Sequence, residues 1–134
     1  MSLYNVSNAV AGRMFRANSR KPPKLLRQIH AAGGLAVWAH PVSGQAGERG
    51  YAKKMLRKLQ EFGIDAVETN YSMFSEHQTQ MMHEIAEAAG VLKSGGSDYH
   101  GANQPGIELG SGAGSLAVPA EFLNRMLETR KCAV

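Results

Sequence analysis

Asp98 and His100 stand two residues apart behind Gly95, Gly96 and Ser97 in the run SGGSDYHGANQPGIELG, residues 94–110. A carboxylate and an imidazole at that spacing are the right types for a divalent metal site, zinc, manganese or iron among them. Two ligands do not complete such a site, so others must come from elsewhere in the chain. His40, at the end of the apolar run LAVWAHP (35–41), is a third candidate, and the segment IDAVETNY (64–71) gathers Glu68, Asn70 and Tyr71 toward its end. Each also has a plainer reading. A histidine before proline can be a satisfied structural residue, and Asp-x-His can be an Asx-type turn with a bystander imidazole. Glu68 is either a core-edge glutamate or a residue that orients a metal-binding imidazole from behind. Asn70 and Tyr71 either meet a substrate or begin a loop. Gly95 and Gly96 let the backbone approach the site closely, and Ser97 can hydrogen-bond nearby without a catalytic role.

The elements that must position these residues alternate along the chain. Pro22 and Pro23 open a helix whose apolar face is Leu25, Leu26 and Ile29, and Gly33 and Gly34 stop it. LAVWAHP reads as a buried strand. A glycine-bearing loop over 43–50 leads to a helix with the stripe Met55, Leu56, Leu59 and Phe62, ended by Gly63. IDAVETNY is the second strand. Ser75 and Gln78 form a capping box at the start of a third helix that turns Met81, Met82 and Ile85 inward until Gly90. VLKSGGSDYH (91–100) is the third strand with its exit loop, and Pro119 opens a last helix expected to bury Phe122, Leu123, Met126 and Leu127. A helix followed by three strand-helix units predicts an α/β fold with parallel strands. In such folds ligands bind at the carboxyl ends of the strands. His40, the Glu68–Tyr71 group and the Asp98–His100 pair all fall on that one rim.

With 134 residues, 43% of them hydrophobic, the chain suits one domain with a modest core. The net charge of +4 comes from 15 scattered Lys and Arg, densest at Lys53, Lys54, Arg57 and Lys58, a pattern that fits a solvated helix face better than a nucleic-acid patch. A single cysteine, Cys132, excludes an internal disulfide and suits a reducing compartment. No apolar run approaches the roughly 20 residues of a membrane span, and no signal peptide is visible. The expectation is a soluble, cytoplasmic protein without a membrane partner. Met73, Met81 and Met82 read as packing.

GGLAVWAHP, GIDAVETNY and GGSDYHGANQPGIELG resemble three successive segments of the PHP (polymerase and histidinol phosphatase) superfamily of metal-dependent phosphoesterases, over about residues 22–128. The likeness is nearest to small stand-alone bacterial members that act on nucleotides and short oligonucleotides. The resemblance implies that His40, Asp98 and His100 are metal ligands. It implies hydrolysis of phosphate esters by hydroxide generated on manganese, zinc, iron or magnesium. It further implies the C-terminal strand-helix units of a distorted seven-stranded (β/α) barrel. Glu68 is not made a ligand by the resemblance.

The chain departs from the family at its start. Family members open with His-x-His and add further ligands to complete a two- or three-metal cluster, whereas none of His30, His40, His77, His83 and His100 forms that motif. His30, His77 and His83 read as structural or exposed. The expectation is a partial barrel, a single incomplete domain with residues 1–21 a helical or irregular lead and 22–132 the PHP-like half, arising from a fragment, a truncated gene or a split protein. Metal occupancy should be partial and activity alone slight, with a homo-oligomer or a missing N-terminal half as partner. The alternative is a non-catalytic module that binds nucleic acid through its basic helix face or another chain through its sheet edges.

Overall fold

The computed structural model describes residues 21–43 and 49–132, with Lys131 and Cys132 described by backbone alone. The expectations for residues 1–20, for 44–48 of the glycine-bearing loop and for the Cys132 thiol lie outside the described residues. Helix α1 is Pro22–Ala31, with both prolines in the first turn, where backbone N–H groups have no intrahelical acceptor to lose. It ends where Gly33 adopts φ 72° and the N–H groups of Gly33 and Gly34 return to the carbonyls of His30 and Ile29. Helix α2, Arg49–Gln60, buries Ala52, Leu56 and Leu59 and leaves Lys53, Lys54, Arg57 and Lys58 exposed. Helix α3, Glu76–Ala89, begins with the capping box: the Ser75 hydroxyl accepts from the Gln78 N–H and the Gln78 side chain from the Ser75 N–H. It ends at Gly90 in the left-handed conformation. Helix α4 is Ala120–Cys132.

Strands β1 (Val37–Trp38), β2 (Ala66–Tyr71) and β3 (Leu92–Gly96) form a parallel sheet in the order β1-β2-β3. Trp38 lies opposite Val67, and Tyr71 opposite Gly96. This register brings the segments after β1 and β3 level with the end of β2. β1 is shorter than the expected 35–41 because His40 turns the chain with φ 32°, and its carbonyl accepts from the Ser43 N–H to close the turn. A residue in that conformation cannot extend a ladder.

Successive residues of a strand face opposite sides, and the two sides of β2 are covered differently. Val67 joins the main core, where Leu26, Trp38, Leu56, Met81 and Met82 pack almost wholly out of solvent. Ala66 belongs to a smaller cluster with Leu35 and Met126, so α4 covers part of the second face. Of the four α4 residues expected inside, Met126 is buried, Phe122 and Leu127 are half-buried and Leu123 is 48% exposed. Leu123 and Phe122 instead border an open apolar cavity of about 490 Å³ beside Val37, Ala39, Glu68 and Val118. No helix among the described residues is long and apolar enough to cross a membrane.

Candidate metal centre

β2 supplies the residues that join the rim. Its pairing with β3 is irregular between Glu68 and Asn70, and such bulges re-aim side chains at the ends of strands. Glu68 is buried, and its Oε2 accepts the backbone N–H of His40 at 2.6 Å. It thus grips the main chain of the histidine. Burial raises the Glu68 carboxyl to about 7, against the opposing pull of the His40 N–H, and the charge of Asp98 adds to the rise.

Tyr71 bridges His40 and Asp98, two of the three candidate donors. Its hydroxyl donates to Asp98 Oδ2 at 3.3 Å, and its ring lies 5.2 Å from the His40 ring, centroid to centroid. Phe74 meets the same ring edge-on at 5.2 Å. Burial and then the neighbouring Asp98 carboxylate hold the Tyr71 hydroxyl above its usual range.

Asp98 has φ 56°, and with His40 it makes up the two non-glycine residues of positive φ among the described residues. Left-handed backbone at non-glycine residues concentrates at functional sites. The His100 Nδ1 lies 2.6 Å from the Asp98 carbonyl oxygen. A carbonyl can only accept, so Nδ1 carries a proton, and in the neutral ring this leaves the lone pair on Nε2, the state in which an imidazole binds a metal.

Asn70 is engaged at both ends of its amide. Nδ2 donates to the Ala117 carbonyl at 2.9 Å, while Oδ1 accepts from Thr69 Oγ1 at 2.9 Å and lies 2.8 Å from His83 Nε2. Burial, and then the charge of Lys93, hold the His83 imidazole below its usual range. His30 pairs with Asp65 at 2.7 Å near the opposite end of β2, and His77 is exposed. These three histidines have the structural or exposed character expected of them. Gly95 meets the close-approach expectation, since a Cβ there would lie 2.8 Å from Val118 Cγ2 and 2.9 Å from Asn70 Cβ. At Gly96 it would stand at an ordinary 3.6 Å from Glu68 Oε1. Ser97 is buried and shapes the exit loop: its carbonyl accepts from Ser72 Oγ at 2.8 Å and its hydroxyl from the Gly110 N–H at 3.4 Å.

The donor types fit a divalent cation. Asp98 offers a carboxylate and His100, when neutral, offers Nε2. The coordination shell is not closed: among the described residues no group of three or more His, Cys, Asp or Glu side chains is arranged to hold a metal ion. Residues 1–20 contain none of those four types.

No family model matches the chain. It is 31% identical over 78 residues to a 5'-3' exoribonuclease of Haemophilus influenzae, a stretch that is 58% of this chain and 28% of that protein. Two solved structures share its fold at 23% identity. An amidohydrolase from Chromobacterium violaceum, with bound sulfate and no metal, superimposes with a TM-score of 0.65 over 91% of this chain and 42% of its own. A protein of Bifidobacterium adolescentis assigned as a metal-dependent phosphoesterase does so with a TM-score of 0.66 over 92% of this chain and 43% of its own. The chain thus shares the fold of these two proteins, and it spans less than half the length of the proteins it matches.

Proposed function

We propose that the chain carries one side of a PHP-type phosphoesterase centre, with His40, Asp98 and His100 as its metal donors and a partial (β/α) barrel as its scaffold. The observation that carries this reading is the rim itself. Two donors from separate strand ends, His40 and Asp98, are tied together through Tyr71 and both have left-handed backbone. A divalent cation, whether manganese, zinc, iron or magnesium, would supply Lewis acidity and neutralise charge on a phosphate ester. The chain's own residues do the rest: Tyr71 orients the Asp98 carboxylate, the Asp98 carbonyl fixes the His100 tautomer, and Glu68 braces the turn at His40. The substrate class is a nucleotide or short oligonucleotide, a choice supported by the exoribonuclease relative.

Three donors cannot fix the spacing of a two- or three-metal cluster, and most of the rate enhancement at such sites comes from preorganised charge. The chain alone should therefore hydrolyse p-nitrophenyl phosphate, nucleoside monophosphates and short oligonucleotides no faster than a buffer-and-metal control. A complementing polypeptide with a His-x-His strand should restore metal-dependent turnover, and His40→Ala should remove it again. Turnover by the 134 residues alone that is lost on His100→Ala would mean that the site is completed within the chain or between copies.

One observation favours a second reading, a nucleic-acid-binding module. Lys53, Lys54, Arg57 and Lys58 are all exposed on α2. Metal-independent binding of single-stranded RNA that weakens steeply with salt would favour it.

A further inference from the structure

The backbone at His40 is in an unfavourable conformation. Its φ of 32° is one that residues with a side chain seldom adopt. The next residue is Pro41, and a residue before proline is driven toward extended conformations at negative φ. Sequence-local preferences therefore oppose this turn twice, and something outside the local chain must hold it. The His40 carbonyl is held locally by the Ser43 N–H at 3.0 Å. Its N–H is held from 28 residues away by Glu68 Oε2 at 2.6 Å, a charge-assisted bond of the short, strong kind when the carboxylate is ionised.

We infer that Glu68 is a positioning residue: by gripping the His40 N–H it fixes the left-handed turn and so sets where the His40 imidazole points. Glu68 is itself well placed to act as a fixed brace. It is buried within the paired part of β2, opposite Ser94, and it borders the apolar cavity under α4. The His40 ring packs on Tyr71, which in turn bonds Asp98, so a relaxed turn at residue 40 would move one donor away from the other. The consequence for metal binding rests on the proposed role of His40; the hold on the backbone does not.

Two substitutions separate the bond from the bulk. Glu68→Gln keeps an acceptor oxygen and the length of the side chain. Glu68→Met keeps the length, lacks a good acceptor and borders an apolar cavity that can receive it; Glu68→Ala stands in if Met prevents folding. In the metal-free protein at pH 7.5, amide hydrogen exchange followed by NMR should show the His40 N–H protected in the native chain and in Glu68→Gln. It should exchange at least tenfold faster in Glu68→Met, with protection of the α1 and α3 amides unchanged. Mn²⁺ binding, read by electron paramagnetic resonance, should weaken at least tenfold in Glu68→Met and stay within about threefold in Glu68→Gln. Unchanged His40 protection in Glu68→Met and Glu68→Ala would overturn the inference. So would lost protection with Mn²⁺ affinity intact, because the grip would then position nothing. If the native chain binds no Mn²⁺ while the exchange pattern is as described, the brace stands and the metal-centre reading falls.

Discussion

At the scale of single residues, the types that could bind a metal were legible because they are few and sit at strand ends: His40, Asp98 and His100 were named from spacing and resemblance alone. What the sequence could not convey is how the backbone presents them. Neither the left-handed turn at His40 nor the use of Glu68 as a main-chain brace has a local signal, since the bond that joins them spans 28 residues. The motif His-Pro argues against the observed turn. Two predictions belong here. If the rim binds a cation, manganese or zinc should bind at about one equivalent or fewer, and Asp98→Asn combined with His100→Ala should abolish binding in calorimetry. Tight binding of two or three ions would mean that further donors exist. The second concerns Glu68, whose carboxyl titrates near 7 in the fold against 4.5 for a free side chain. The native state therefore holds that proton more tightly than the unfolded chain, and the metal-free protein loses stability as pH rises from about 4.5 through about 7. A shift of this size corresponds to something of order 3 kcal/mol. Glu68→Gln, which does not titrate, should gain on the native chain over that window and level off above it. Parallel stability-pH curves for the two proteins would refute the assignment.

At the scale of elements, legibility followed locality. The prolines of α1, the Ser75–Gln78 box and the Gly33 and Gly90 stops are short-range devices, and the structure has each where the sequence predicts it. The apolar stripes of α2 and α3 were equally readable because one broad core receives them. α4 was misjudged for the converse reason. A helical stripe shows which side is apolar but not how much surface awaits it, and the sheet offers α4 a small cluster around Met126, leaving Leu123 half out. β1 was overextended because hydrophobicity continues through Ala39 while the ladder stops at Trp38. The local devices can be tested directly. Ser75→Ala removes the acceptor of the capping box and should cost about 1 kcal/mol. Gly95→Ala forces a methyl against Asn70 and Val118 at distances that real Cβ atoms do not tolerate. Overpacking of that kind costs about 1–3 kcal/mol. Urea midpoints at constant m-value would register both, and a Gly95→Ala protein as stable as the native one would show that the 117–119 segment yields without cost.

At the scale of the whole molecule, the parallel sheet is covered fully on one face and partly on the other. The main core packs against β2 through Val67, whereas the second face has a small cluster around Met126 and, beside it, an open cavity of about 490 Å³ that Met126 also lines. Leu123 and Val118 at the mouth of that cavity are 48% and 37% exposed. Among the described residues β1 and β3 each pair on one side only, so their outer edges present free backbone groups. The partial barrel that the resemblance implies carries the same expectation, since it leaves its first and last strands unpaired. α4 covers less of this face than the sequence predicts, burying Met126 and leaving Leu123 half out, so it reduces the open face without closing it. Exposed apolar surface beside unpaired strand edges favours association. In light scattering at micromolar concentration the chain should accordingly run above its monomer mass of 14.4 kDa. Leu123→Glu places a charge at the rim of the cavity without touching the His40–Tyr71–Asp98 group, so it should shift the distribution toward monomer while the helical signal in circular dichroism is kept. Association that survives Leu123→Glu would locate the contact at the strand edges instead. A native chain that is monomeric throughout that range would show that α4 shields the second face well enough for the 134 residues to stand alone.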